Sequence, residues 1–477
     1  MRFGGCRPGG RYRVITDNLR GYAAIKRLAR EERRPIVDLL ALARQNDPFF
    51  AGSPAQADKA RWFADLWRRF GYSSGVHLRR VHYQLVSQED PRKADGTPYE
   101  NTEGCWAYLC EAGKAARYLR LVSPDAFEDH RNPDPHLHAG GAASAQFPEW
   151  WVNPPQWVLP SIPTDMTLDL SLPRPDIDGY DYNSADQPYH VEIWVEKSTQ
   201  DDALLPICRE LRLNLVTSIG FQSITSTLSL LRRVRAADKP ARILYISDFD
   251  PAGDGMPVAV ARQIEYWLPE YAPGADVKLT PLALTRAQVT AYRLPRIPVK
   301  DSDRRKAGFE QRYGEGAVEL DALEALHPGA LANIVREMVE PYRDMTLSWR
   351  LEEAEREARE AMVEAWTEAT APCRADLEHL EAETRAILAR HQGALRRLQA
   401  ALEADLAPVR ERLKSVWLAV QEARDEVEMA LPERPEPETR LPDEGDWLFD
   451  SGRDYVEQLA IYGARKNRQD GDGASGI

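Results

Sequence analysis

Cysteine is scarce in this chain, with five among 477 residues, at Cys6, Cys105, Cys110, Cys208 and Cys373. Only Cys105 and Cys110 lie close, and with no second pair beside them they predict neither a structural zinc site nor a disulfide framework. Reduced thiols in a cytoplasmic protein are the expectation. Long apolar runs are missing too. Nothing approaches the ~18 uninterrupted apolar residues of a spanning helix. The opening stretch MRFGGCRPGGRYRVITDNLR has no apolar centre of the kind a secretory signal carries. A GxxxxGK[ST] phosphate loop is also absent, so any dependence on ATP would come from a separate partner.

What the chain does hold is length and charge. At 477 residues it is long enough for two to four domains with sizeable cores. The net charge of -13 argues at first against a nucleic-acid partner. Its distribution argues otherwise. Residues 351–477 carry 29 acidic against 17 basic side chains, residues 1–350 carry 46 against 45, and residues 1–130 carry 22 bases against 16 acids. A mildly basic front with an acidic tail is compatible with a polyanion bound at one end.

The hydrophobic pattern divides the chain into six stretches. Residues 1–72 read as helical, with IVDLLALARQ and ADKARWFADLWRRFG separated by Asn46-Asp47-Pro48. Residues 73–132 read as a short helix at LRRVHYQLVS, a polar turn and a longer helix bearing Lys114 and Arg117 and ending near Arg120, a pattern that DNA-binding helix pairs present and that ordinary helix pairs share. Residues 133–185 form a proline-rich linker or arm, whose Trp150, Trp151 and Trp157 predict packing against another element. In residues 186–345 strands alternate with helices: VEIWVEK, NLVTSIG, ARILYISDFD and DVKLTPLAL against ALLPICREL, ITSTLSLLRRVRA and MPVAVARQIEYWL. Such alternation predicts a Rossmann-like parallel sheet covered by helices, with ligands at the carboxyl ends of the strands. Residues 346–430 predict coiled-coil-like helices interrupted at Pro372 and Pro408, with Leu395, Leu398, Leu402, Leu406, Val409, Leu413, Val416 and Val420 as their apolar seam. Residues 431–477 read as an exposed acidic linker and a disordered tail.

Three carboxylates stand where such a sheet places its ligands. Glu196 ends the strand VEIWVEK, and Asp248 and Asp250 follow ILYIS. Converging carboxylates repel one another unless a hard cation lies between them, so Mg²⁺ is the natural occupant. A simple capping role for the aspartates is the plain alternative. A calcium loop at DFDPAGDG is excluded by spacing, since Ala252 and Ala259 stand at the fifth and twelfth positions. A second polar group comprises Lys300, Asp301, Asp303, Arg304 and Arg305, then Glu319 and Asp321. The cations suit a phosphate backbone, and Glu319 and Asp321 read as a structural turn.

These residues resemble a Toprim domain: E-K after a first strand, a glycine turn after the second (Ser218-Ile219-Gly220-Phe221), and D-x-D-P-x-G after the third. The forms IWVEKS and YISDFDPAGD are similar to those of the topoisomerase VI A subunit and its relatives, including the meiotic break-forming transesterase. The resemblance covers residues 186–345. It implies Mg²⁺ held by Glu196, Asp248 and Asp250, with Asp254 a weaker substitute for the further aspartate that Ala252 replaces. It also implies a preceding winged helix whose Arg-x-x-Tyr-Tyr pattern falls on Arg79, Arg80, Val81, His82 and Tyr83, leaving Tyr83 as nucleophile, Arg79 as its cation and His82 in place of the first tyrosine. Lys114, Arg117, Arg120, Lys300 and Arg304 become DNA contacts. The family implies a homodimer and a separate ATPase partner, and hence a nucleoid-associated protein.

A phenol with a pKa near ~10 is a poor nucleophile unless a cation stabilises its anion, which is the role open to Arg79 one helical turn away. A tyrosine of an amphipathic helix core is the plain reading of Tyr83. Two rival functions remain open: a Toprim nuclease that hydrolyses DNA or RNA with water, and a non-catalytic DNA-binding or scaffold protein of a mobile element or defence system.

Overall fold

The computed structural model describes residues 22–43, 50–128, 132–139, 148–159, 170–218, 220–391, 399–439 and 445–467. Asn46-Asp47-Pro48, Ile219, Leu395, Leu398, Cys6 and the tail beyond Asn467 lie outside them. In chain order the helices and strands are α1 Tyr22–Glu31, α2 Pro54–Arg69, α3 Leu78–Val86, α4 Glu103–Tyr118, β1 Glu149–Val152, β2 Pro175–Asp178, β3 His190–Val195, α5 Asp201–Glu210, β4 Asn214–Thr217 and α6 Ile224–Ala237. They continue with β5 Ala241–Ile246, α7 Pro251–Tyr271, β6 Val277–Ala283, α8 Arg286–Ala291, α9 Lys306–Tyr313, α10 Asp321–Leu326, α11 Ala330–Val339, α12 Leu347–Ala369, α13 Ala371–His391, α14 Gln399–Asp425, β7 Phe449–Asp450 and α15 Tyr455–Asn467.

The chain forms two compact units, one of residues 1–142, 187–343 and 439–477, the other of residues 143–186 and 344–438. The first is a mixed α/β unit around a five-stranded sheet in the order β4-β3-β5-β6-β7. Its first four strands run parallel. The strand pattern at 241–250 and the helix pattern at 256–268 correspond to β5 and α7, although α7 starts five residues earlier because Asp250 and Pro251 begin it.

Side-chain alternation divides the core between the two faces of the sheet. Trp194, Val216, Ile243, Tyr245, Val277 and Leu279 face one cluster with α6 and α7. Val191, Ile193, Val195, Leu215, Leu244 and Ile246 face the other with α5 and α11. The first cluster continues through Phe63, Leu109 and Tyr118, so α2, α3 and α4 share the core of the sheet unit. Tyr118 stacks on Trp267 of α7 at 5.6 Å.

Several expectations are corrected. Within IVDLLALARQ, described as far as Ala43, the regular element is a 3-10 turn at Ile36–Leu39, since Pro35 starts it and Leu40 leaves it extended. The proline-rich stretch is no mere linker: β1 pairs antiparallel with β2, and in the second unit Trp150 meets Trp366 at 6.2 Å and Trp157 meets Trp417 at 6.4 Å. Trp151, by contrast, is exposed. Pro372 falls in the first turn of α13 and coincides with a break, whereas Pro408 is carried inside α14. Leu402, Leu406, Val409, Leu413, Val416 and Val420 pack with Leu377, Leu380 and Ile387 of α13, as the seam predicts. The acidic stretch after α14 is anchored within this unit, for Tyr180 Oη donates to Pro432 O at 2.9 Å and Arg434 pairs with Asp186 at 2.9 Å.

Candidate active site

The central strands β3 and β5 lie in register from His190 beside Ala241 to Val195 beside Ile246. The chain leaves β3 for β4 on one side and returns to β5 on the other, so the strand order reverses between β3 and β5. A parallel sheet opens a crevice at that point, beyond its strand ends. Glu196 is the first residue after β3 and Asp248 the second after β5, and both are buried, at 9% and 5% exposure. The Glu196 N–H donates to Ile246 O at 3.0 Å, and the Asp248 N–H donates to Glu196 Oε2 at 3.3 Å. One acid therefore orients the other.

Asp250 caps α7, its Oδ1 accepting the Gly253 N–H at 2.6 Å, so the capping role holds for this residue. Gly253 has a separate reason to be glycine, because a Cβ there would stand 2.0 Å from Asp248 O. The D-x-D-P-x-G pattern is thus a tight strand-to-helix turn whose first aspartate presses on the helix start. Asp254 has partners of its own: Arg312 holds it at 2.8 Å and Tyr313 Oη donates to it at 3.1 Å. A part for it in place of the aspartate that Ala252 replaces would require those partners to release it.

Burial, with the negative charges of Asp248 and Asp250, pushes the Glu196 carboxyl up to about 7. Burial also raises Asp248, opposed by Lys197 and by the Leu320 N–H. Lys197, which sequence reasoning passed over, is the hub of this site. Its Nζ lies 2.6 Å from Asp248 Oδ2 and 3.6 Å from Asp321 Oδ2, and it pairs with Glu319 as well. Leu320 N–H donates to Asp248 Oδ1 at 2.7 Å. The stretch expected as a plain turn therefore reaches into the site. Asp248 has a partner on each oxygen, and among the described residues no group of three or more His, Cys, Asp or Glu is arranged to hold a metal ion. The donor chemistry itself, oxygen alone with a carboxyl raised by burial and by two neighbouring carboxylates, suits a hard cation.

Of the second polar group, Lys300 and Arg304 are exposed. Arg305, the other arginine expected at a phosphate backbone, bonds Asp303 through Nη2 at 2.8 Å and senses the charges of Asp250 and Glu196 as well. A cavity of about 900 Å³ borders Asp248 and Asp250 and is lined also by Asp254, Arg286, Arg312 and Arg465.

Tyr83 on α3 is 57% exposed, which excludes the core reading. His82 beside it is buried, its Nδ1 2.7 Å from Tyr99 Oη and its Nε2 3.1 Å from Asn101 Oδ1. The residue in place of a first tyrosine is thus a structural histidine. Arg79 lies over Trp106, 5.6 Å from the ring centre. Among the described residues no hydrogen bond or ring contact joins Tyr83 to Glu196, Asp248 or Asp250. Lys114 and Arg117 line a second cavity, of about 520 Å³. Arg120 differs from the expectation of a DNA-facing side chain. It lies past the end of α4 with φ 59°, pairs with Glu270 and covers Trp267 at 4.7 Å, which ties it to α7.

No protein-family model matches the chain, and no curated protein is significantly similar to it. The fold and site define a mixed α/β protein with a largely parallel five-stranded sheet and an acidic centre at its strand ends. No helix among the described residues is long and apolar enough to cross a membrane.

Proposed function

We propose that the protein is a Mg²⁺-dependent DNA-cleaving enzyme with a Toprim domain and a preceding winged helix, of the topoisomerase VI A-subunit type. The observation that carries this reading is the pair Glu196 and Asp248 at the ends of adjacent parallel strands, with Asp250 opening the next helix. Mg²⁺ would be held by Asp248 and Asp250, with Glu196 completing the oxygen set while ionised. Once bound, it would neutralise the scissile phosphate and stabilise the leaving oxygen. Because Lys197 sits on Asp248, its ammonium has to give way to the cation.

The exposed Tyr83 hydroxyl is the nucleophile. Its oxygen forms a bond to phosphorus as its proton passes to solvent. The bond from phosphorus to the 3′ oxygen breaks, the phosphate remains on the tyrosine, and the 3′ oxygen takes a proton. That proton comes from solvent, because Glu196 beside the cation is ionised and serves it as an oxygen ligand. Lys300, Arg304 and Arg305 offer cations to the backbone beside this centre. In a homodimer the tyrosine of one subunit would serve the carboxylates of the other, and a separate ATPase partner would drive strand passage.

Hydrolysis by the same carboxylates is the second reading. It rests on the same carboxylates, which could hold a cation and activate water with no part for Tyr83. Supercoiled plasmid incubated with the protein and Mg²⁺, then denatured and assayed for DNA bound to protein, separates the two. Covalent DNA that is lost in Tyr83→Phe supports transesterification. Cutting that persists in Tyr83→Phe assigns the chemistry to water, and the absence of cutting with and without a partner ATPase overturns both.

A further inference from the structure

The cavity of about 520 Å³ beside α4 is not used by the carboxylate chemistry. Its size lies within the roughly 300–1,000 Å³ of small-ligand sites. Trp106, Phe127 and Phe221 supply aromatic faces to it, Lys114 and Arg117 supply cations, and Gln222 supplies an amide. The first residues of α6 also line it. Gln222 is the unusual member. It is 5% exposed, yet neither its amide nitrogen nor its amide oxygen has a hydrogen-bond partner. A buried amide left without partners on both atoms is costly, and a turn of the side chain toward the cavity, where a ligand offers one donor and one acceptor, relieves the cost.

That combination fits one chemistry. A nucleobase presents a flat face to aromatic rings and a paired donor and acceptor to an amide. Its phosphate suits Lys114, Arg117 and the N-terminus of α6, where backbone N–H groups and the helix dipole favour an anion. Phe221 is 50% exposed at this cavity, and the Arg305 guanidinium stands 5.9 Å from its ring while sensing the charges of Asp250 and Glu196. The cavity and the acidic centre are therefore neighbours through one arginine.

We propose that this cavity receives one unpaired nucleotide of a DNA strand, its base read by Gln222 and its phosphate held by Lys114 and Arg117. The choice of DNA rests on the cleavage reading above; the nucleotide chemistry rests on the cavity. An unpaired or flipped base seated here would fix the register of the strand that reaches the carboxylates.

Binding measured without metal keeps the two readings apart. Fluorescence anisotropy of labelled single-stranded 12-mers, a duplex of the same sequence and a 12-mer with abasic sites is followed in EDTA with Tyr83→Phe protein, with free deoxynucleoside monophosphates as competitors. Single strands are expected to bind more tightly than duplex or abasic strands. Gln222→Leu should weaken single-strand binding about tenfold and flatten the preference among bases, the size of one paired base contact. Phe221→Ala should weaken it for every base. Gln222→Leu removes two unsatisfied polar atoms, so its melting temperature should not fall, and a loss of binding cannot be ascribed to misfolding. Abasic strands bound as well as normal ones, or Gln222→Leu binding like its parent, overturns the proposal even if plasmid is cut. Monophosphates that bind as tightly as the 12-mers overturn the assignment to a strand.

Discussion

Loss of Arg233 is the sharpest test of how the sheet carries its site. Glu192 of β3, four residues before Glu196, is wholly buried. Its carboxylate accepts from Arg233 Nε at 2.7 Å and Nη2 at 2.8 Å, from Trp194 Nε1 at 2.9 Å and from Asn214 Nδ2 at 3.3 Å, with His190 Nε2 at 2.7 Å. Burial alone would raise its pKa, but the Arg233 guanidinium and these hydrogen bonds hold the carboxyl well below the usual range. Breaking a buried ion pair by removing one partner costs about 3–5 kcal/mol, because the other charge stays behind without compensation.

Arg233→Met should therefore lower stability by about 3–5 kcal/mol at pH 7 in urea unfolding followed by far-UV circular dichroism. The sign with pH is set by the depressed pKa. The parent holds this stability above the unfolded value of 4.5 and loses it as pH falls toward the depressed folded value, so the gap between parent and variant should narrow progressively below pH 4.5. Adding Glu192→Gln to Arg233→Met removes the stranded charge and should restore most of the loss. A single variant within about 1 kcal/mol of the parent, or a double variant no better than the single, would refute the reasoning.

Two further outcomes follow from the acidic centre. Glu196 is raised from 4.5 to about 7, so its contribution to stability is full below pH 4.5 and disappears as pH rises through 7; Glu196→Gln should stabilise the metal-free protein by on the order of 3 kcal/mol at pH 8 and by nothing at pH 4, read by thermal unfolding. Equal gains at both pH values would show that the raised carboxyl is not the cause. Gly253→Ala places a Cβ 2.0 Å from Asp248 O and should cost about 1–3 kcal/mol or more together with DNA cleavage, whereas Gly255→Ala, with open space around it, should retain both. Equal behaviour of the two alanine variants would exclude the close approach as the reason for the motif.

The local pattern of the sheet unit was legible because it is periodic. β3, β4, β5 and β6 were each marked by short β-branched or aromatic runs, and Glu196, Asp248 and Asp250 by their position at the run ends. Contacts across long separations carry no such period. Lys197 and Glu319 are 122 residues apart, and β7 arrives from position 449 to pair antiparallel with β6. The E-K pair itself was the available signal for Lys197, since a lysine beside an acid at a strand end faces the same crevice. The six-part division of the chain overlooked that α2 to α4 share apolar surface with α7, because Tyr118, Trp267 and Phe63 read as local helix faces until they meet in one core.

Asp248 owes its orientation to a segment that composition alone marks as loop. Phe249 and Val318 exchange backbone hydrogen bonds at 2.9 Å, and Ile297 and Ala317 exchange theirs at 2.8 Å. The Arg296 guanidinium then donates to the carbonyls of Tyr313, Gly314, Glu315 and Gly316, where Gly314 and Gly316 both have positive φ. An added Cβ at Gly316 would stand 3.0 Å from Ile297 O, so this crossing tolerates no side chain. The chain from Arg296 to Leu320 is in this way closed on itself before it presents the Leu320 N–H to Asp248. That closed segment also carries Lys300, Arg304 and Arg305, the cations that the proposed function assigns to a phosphate backbone. Those exposed cations and the amide that aligns the carboxylate thus belong to one closed segment, and the sheet supplies the acids.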